Sequence, residues 1–168
     1  LNNFLPEYVR DKAPNIYRRS LYTYWRRTAP PPGMLAFDVP GREVCTVRRQ
    51  QTNTPLQPLV TLNDPQFVEA ARGMAIRMIR EGGADFTTRA KWLFRETLDR
   101  EATEEELRIL AEIHSEQGGI FTMDPAKAEA FLKVGDLPSP PDIPPVDLAA
   151  ATVIASALLN LDETITLR

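Results

Sequence analysis

The sequence predicts a mainly α protein, an irregular helical bundle with a short β-ribbon and proline-rich loops near the amino terminus. Three observations lead there. Capped, amphipathic or apolar segments follow one another after residue 53. Strand-like alternation is confined to two short stretches before residue 50. The 15 prolines divide the chain into short elements rather than long uninterrupted ones. With 168 residues, 43% hydrophobic and 26% charged, the chain is long and apolar enough to bury a core. Residues 1–168 therefore read as one helical domain, or as the carboxy-terminal portion of a larger one: 1–53 an irregular β-ribbon segment, 54–168 the bundle. The chain opens at Leu1 without a basic-then-apolar leader, which reads as a piece of a longer polypeptide.

The elements follow in order. "YRRSLYTYWRR" (17–27) is rich in aromatic residues and lacks a helical stripe, so a short strand is expected at 19–25. "APPPG" (29–33) stops it. In "REVCTVRR" (42–49), Val44, Thr46 and Arg48 alternate with Glu43, Cys45 and Val47, a second strand able to pair with the first. In "NTPLQPLVTLNDP", Thr54 stands as N-cap with Pro55 at the first helical position and Gln57 three residues after the cap. Asn63 or Asp64 caps the next helix, whose apolar face gathers Phe67, Val68, Ala71, Met74, Ala75, Met78 and Ile79 before Gly82-Gly83 ends it. "FTTRAKWLFRETLDR" places Ala90, Leu93, Phe94 and Leu98 on one side. "TEEELRILAEIHSEQGG" carries a Thr103/Glu106 capping box and is expected to end at its glycine pair, and "DPAKAEAFLKVG" runs from Asp124 to Gly135. "DLPSPPDIPPVD" (136–147) is a stiff connection, after which Asp147 caps the apolar helix 148–161, expected at the centre of the bundle. That run has 14 residues, whereas crossing a bilayer takes roughly 20, so no transmembrane segment is predicted.

Several chemistries are excluded by counting. With Cys45 as the only cysteine there is no internal disulfide, and with His114 as the only histidine there is no His/Cys metal cluster, no Cys-His pair and no covalent haem motif. No cofactor is expected in this chain. His114 reads as a solvent-facing helical residue, and Cys45 as a small buried hydrophobe. The charge is uneven: residues 1–50 hold nine basic and four acidic residues, a net of +5, against eleven and nineteen, a net of −8, in the rest. The arginine pairs Arg18-Arg19, Arg26-Arg27 and Arg48-Arg49 thus serve either internal pairing or an anionic partner. With a net charge of −3 and no recognition motif, nucleic acid is not an expected partner.

The densest concentration of hydrogen-bonding side chains lies between residues 42 and 65. Arg48, Arg49, Gln51, Thr52, Asn53 and Gln57 occupy the junction between the ribbon and the first long helix, where backbone groups lack regular partners. One reading has them satisfying that backbone. The other makes them a polar binding cleft, with arginine forks for carboxylate or sulfate, amides for hydroxyls, and Tyr22, Tyr24 or Trp25 as a stacking platform. Within the strand, Arg49 is the structural arginine and Arg48 the one free to meet a ligand. Asp38 and Asp64 form a weak candidate carboxylate pair, since Asp64 already serves as an N-cap.

The order of these motifs, from "YRRSLYTYWRRTAPPPG" through "GREVCTVRRQQTNTPLQPLVTLNDPQFVEAAR" to "ALLNLDETIT", resembles the carboxy-terminal domain of the large planctomycete-type cytochrome-c-associated proteins, a domain of unknown function. The resemblance spans about residues 17–165 and is most specific over 17–72. It implies that the chain is the distal portion of that domain, in an extracytoplasmic protein of the periplasm or cell envelope. It also implies a haem-binding module elsewhere in the parent polypeptide, and a glycan or redox partner. Two functions follow as expectations: a non-catalytic helical interaction module that packs against the remaining amino-terminal part of its own protein, or the substrate-binding part of a glycan-active hydrolase or oxidoreductase.

Overall fold

A computed structural model describes residues 7–26, 28–41, 43–48 and 52–165. Its elements are two 3₁₀ turns, η1 (Asn15–Tyr17) and η2 (Ser20–Tyr22), and eight α-helices among the described residues: α1 (Pro32–Ala36), α2 (Leu56–Asn63), α3 (Pro65–Glu81), α4 (Phe86–Leu98), α5 (Glu104–Met123), α6 (Pro125–Leu132), α7 (Pro145–Leu159) and α8 (Asp162–Ile165). The chain divides between Val60 and Thr61 into two compact units.

The carboxy-terminal unit is organised around α7, which contacts α3, α4, α5, α6 and α8, most extensively α3. Its sequence explains this position. Leu148, Ala149, Ala150, Ala151, Thr152, Ile154, Ala155 and Leu158 are all buried, so the helix is covered on nearly every side. α3 contributes the fully buried Ala71 and Ala75 to the same core as the small residues of α7, and small side chains favour close helix packing. Met78, Leu93, Phe94, Leu110, Phe121, Ala128, Leu132 and Ile143 complete the core. Thr152 adds no polar liability, because its hydroxyl donates to Leu148 O at 2.7 Å.

Helix starts follow the capping chemistry. Asp64 accepts from Gln66 N at 2.8 Å ahead of Pro65, Asp85 accepts from Thr88 N at 2.9 Å, and Thr103 and Glu106 form the reciprocal capping box. Gly82 closes α3. Two ends differ from expectation. The Gly118-Gly119 pair does not stop α5, which continues to Met123. Each interior glycine costs about 1 kcal/mol in helix propensity, but continuing the helix buries Phe121 and stacks it against Phe131, with ring centroids 6.1 Å apart. The stop comes at Asp124, which caps α6 in front of Pro125. Likewise α7 starts at Pro145 with Pro144 as its N-cap residue, and Asp147 lies in the first turn, where a carboxylate favours the positive helix end.

In the amino-terminal unit the expected β-ribbon is absent: no strand occurs among the described residues. Residues 20–22 close into a 3₁₀ turn through Tyr22 N→Arg19 O (2.9 Å) and Thr23 N→Ser20 O (3.2 Å). Residues 43–48 are irregular, and Val44, Cys45 and Val47 are exposed. Alternation alone did not suffice, because a two-stranded ribbon needs one face covered and here neither apolar set is buried. Cys45 is therefore an exposed thiol rather than a buried hydrophobe. His114 departs the other way: it is half-buried, packed on Phe86 with ring centroids 4.5 Å apart, and burial pushes its pKa down.

Candidate functional site

Part of the polar junction is drawn together within the amino-terminal unit. Helix α1 ends in a turn with Asp38 in the left-handed region (φ 55°), a conformation that aspartate tolerates better than most residues. Its Oδ2 accepts from both Thr52 N (2.7 Å) and Thr52 Oγ1 (2.6 Å). On the other side of Thr52, the buried Gln57 donates from Nε2 to Thr52 O at 2.9 Å. Three side chains 14 and five residues apart thus fix one irregular stretch of backbone. Of the candidate binding residues, Thr52 and Gln57 are engaged in this way, while Arg48 and Asn53 are exposed and Trp25 is half-buried. Arg49 and Gln51 lie outside the described residues, as does the assignment of a structural role to Arg49. Asp38 and Asp64 each accept a backbone amide hydrogen bond, from Thr52 and Gln66 respectively.

Tyr22 belongs to a different place. Tyr17 ends η1 and Tyr22 ends η2, and between the turns Arg18 (φ −73°, ψ 153°) and Arg19 (φ −56°, ψ 140°) are extended. Tyr17, Arg18, Arg19 and Tyr22 line an open groove of about 450 Å³. The backbone is held by Tyr17 N→Pro14 O and Arg18 N→Asn15 O, both 3.2 Å. Among the described residues, no carboxylate pairs with Arg18 or Arg19.

The most deeply buried charges are in the carboxy-terminal unit, and they were not anticipated. Glu69 and Arg72 of α3 are each only 1% exposed. Arg72 donates from Nη1 to Leu132 O (2.5 Å) and Val134 O (2.7 Å), and from Nη2 to Leu137 O (2.5 Å). Glu69 accepts from Asp136 N. Both side chains therefore grip the segment that ends α6 and enters the proline-rich connection. Gly135, at φ +87°, lets that segment pass directly against the Glu69 side chain. The signal was present in the sequence: Arg72 shares a helix face with Val68, Ala75 and Ile79, at helical spacings of four, three and seven.

A second charged cluster ties the helix ends. Arg100 donates to Glu106 (3.0 and 2.6 Å) and to Glu163 of α8 (2.9 to 3.1 Å), with its guanidinium 5.1 Å from the Phe94 ring centroid. The Arg100 hydrogen bonds lower the Glu106 pKa to about 2, and the carboxylates in turn raise that of Arg100. Asp85 and Asp142 are also lowered, by hydrogen bonds from Thr88 and Arg80. Among the described residues, no group of three or more His, Cys, Asp or Glu side chains is arranged to hold a metal ion, and no helix is long and apolar enough to cross a membrane.

No curated protein and no solved structure matches the chain. Residues 2–114 match the family PSD1, whose description is a protein of unknown function (DUF1553). The match starts nearer the amino terminus than the resemblance at 17–165 and stops within α5. It covers more than half of the sequence, and the chain belongs to the PSD1 family of proteins of unknown function.

Proposed function

We propose that the chain is a non-catalytic helical module of a larger secreted or cell-envelope protein, one that offers packing surface to the remaining amino-terminal part of its polypeptide and to a haem-containing domain or redox partner. The observation that carries this reading is the use of buried charge: Arg72 and Glu69, the groups best placed by burial for perturbed chemistry, are engaged with the backbone of the α6–α7 connection. The capping carboxylates Asp64, Asp85 and Glu106 support it too, since each is occupied at a helix start. The test is to produce this chain and the rest of its polypeptide separately and measure their association by sedimentation velocity. A defined complex is expected, and two non-interacting species would refute the reading.

A second reading makes the chain the substrate-binding part of a glycan-active hydrolase or oxidoreductase. The exposed Arg18 and Arg19 beside two tyrosines favour it, because that groove offers cations and ring faces together.

A further inference from the structure

Helix α5, at 20 residues the longest among the described residues, carries an apolar stripe that the carboxy-terminal unit leaves largely uncovered. Positions 109, 113, 116, 120 and 123 alternate spacings of four and three, the period of a helix-pairing seam. Ile109, Ile113, Ile120 and Met123 make four of these positions apolar. Ile113 packs against the edge of the core, but Ile109, Ile120 and Met123 are 43%, 41% and 88% exposed. The buried residues of the same helix, Leu110 and Phe121, lie about 110° round the axis from this stripe. The fifth position is Glu116, which is exposed and has no ion pair among the described residues. Its neighbours on the helix do: Glu105 and Glu112 share Arg108, and Glu106 holds Arg100. Beside the stripe, Gly118 and Gly119 each cost the helix about 1 kcal/mol relative to alanine. The fold itself does not require them, since an added Cβ at either would meet nothing within 4 Å.

We propose that this stripe docks an amphipathic helix that has an apolar seam of its own and a lysine or arginine opposite Glu116. The proposal deepens the module reading and rests on it, because the helix belongs to the remainder of the polypeptide. Spacing selects a helix as the occupant: a seam of this period, about 21 Å long between its end positions, matches the side-chain rows of a second helix laid nearly parallel to α5. The bare backbone at Gly118 and Gly119 lets that helix come close. Charge selects a basic one. Glu116 lies unpaired in the seam, and Arg108 offsets only one of the two glutamates, Glu105 and Glu112, that flank it. A second copy of this chain is disfavoured, because pairing two such stripes in register, parallel or antiparallel, sets Glu116 against Glu116. The same sign disfavours an anionic lipid surface, for which an interfacial helix carries lysine and arginine on its polar face.

The test is calorimetric titration of the intact chain with synthetic helical heptad peptides: a leucine seam flanked by lysines, the same seam flanked by glutamates, and the lysine peptide with its seam leucines replaced by serine. The lysine peptide should bind, the glutamate peptide about tenfold more weakly, and the serine peptide not at all. Glu116→Lys should shift the preference toward the glutamate peptide, and Met123→Ser should weaken binding of the lysine peptide. Gly119→Gln fills empty space, so it should keep or raise the melting temperature while weakening binding, a combination that a merely structural role would not produce. No binding of the lysine peptide at about 1 mM, equal binding of the serine peptide, or a preference that Glu116→Lys leaves unchanged would each overturn the proposal. So would a dimer of the chain alone that Met123→Ser dissociates, which would make a second copy the occupant. The Glu116→Lys/Met123→Ser variant is then mixed with the separately produced remainder of the polypeptide. A complex as strong as that of the unaltered chain would refute the stripe as docking surface and leave the module reading standing, whereas no complex with the unaltered chain would refute the module reading itself.

Discussion

Replacing Arg72 with methionine should be among the most damaging single changes available in the carboxy-terminal unit. Methionine keeps much of the stem's bulk and removes the donors. Three carbonyls lose their bonds at once, those of Leu132, Val134 and Leu137. Hydrogen bonds from a charged donor contribute about 1.5–3 kcal/mol each. Water can replace the donor at Leu137, which is 36% exposed, but hardly at Leu132, which is 6% exposed. Glu69, three residues earlier on the same helix and fully buried, would also remain as an anion after the cation is gone. Allowing for partial resolvation, the expected loss is about 4 kcal/mol, a large fraction of the ~5–15 kcal/mol that ordinarily separates folded from unfolded. Arg72→Lys should recover only a minority of it, because one ammonium cannot reproduce the planar fork. Urea unfolding followed by tryptophan fluorescence measures the loss, and hydrogen exchange at the Asp136 amide reports whether the connection has come free of Glu69. A loss below about 1 kcal/mol with Asp136 still protected would show that the buried charges are not what holds this segment.

Four further substitutions probe the fold. Leu158→Asp, at a core position only 1% exposed, should unfold the carboxy-terminal unit, since an unpaired buried carboxylate costs several kcal/mol; a soluble variant with an unchanged melting temperature would contradict the central placement of α7. Gly135→Ala should cost about 2 kcal/mol or more, because φ is +87° and the added Cβ would lie 2.8 Å from Glu69 Cβ, whereas Gly119→Ala, with open space around it in α5, should stabilise by about 0.5–1 kcal/mol. Both shifts are read as melting temperatures. Stability should also fall in acid: Glu106 has a folded-state pKa of about 2 against an ordinary 4.5, so its contribution is complete above the ordinary value and is lost as pH drops through the folded one. The lowered Asp85 and Asp142 act in the same direction. With Glu106 29% exposed, screening leaves about 1 kcal/mol for its share, and Glu106→Gln should flatten the acid limb of a stability–pH curve by that amount.

The starts of α3, α4, α5 and α6 were legible because they are written in local chemistry. Asp64, Asp85, Thr103 and Asp124 cap by side-chain hydrogen bonds that depend on the next two or three residues alone, and the composition of α7 leaves it nowhere to go but the interior. What failed depended on distant partners. Alternation at 43–48 promised a strand, but a strand needs a neighbour and a cover that no local pattern supplies. Gly118-Gly119 carried a stop signal, yet Phe121 found a place against Phe131 and the helix continued through it. Glu69 and Arg72 drew no expectation from the sequence, although their spacing puts them on the buried face. Their partners lie 60 to 67 residues away, at the end of α6 and in the connection after it. The polar junction was read as either scaffold or cleft. At Thr52, between Asp38 and Gln57, its hydrogen bonds are those of a scaffold.

As proposed above, this chain should pack against the rest of a longer polypeptide and leave chemistry to other parts. Sedimentation velocity of the chain mixed with the separately produced remainder tests it most directly, with glycan-hydrolysing and redox activity assayed on the same samples. The expected result is a one-to-one complex whose activity matches that of the remainder alone and is unchanged by Arg18→Gln/Arg19→Gln. Separate sedimentation of the two pieces, or turnover that appears only when this chain is added and disappears with those substitutions, would contradict it.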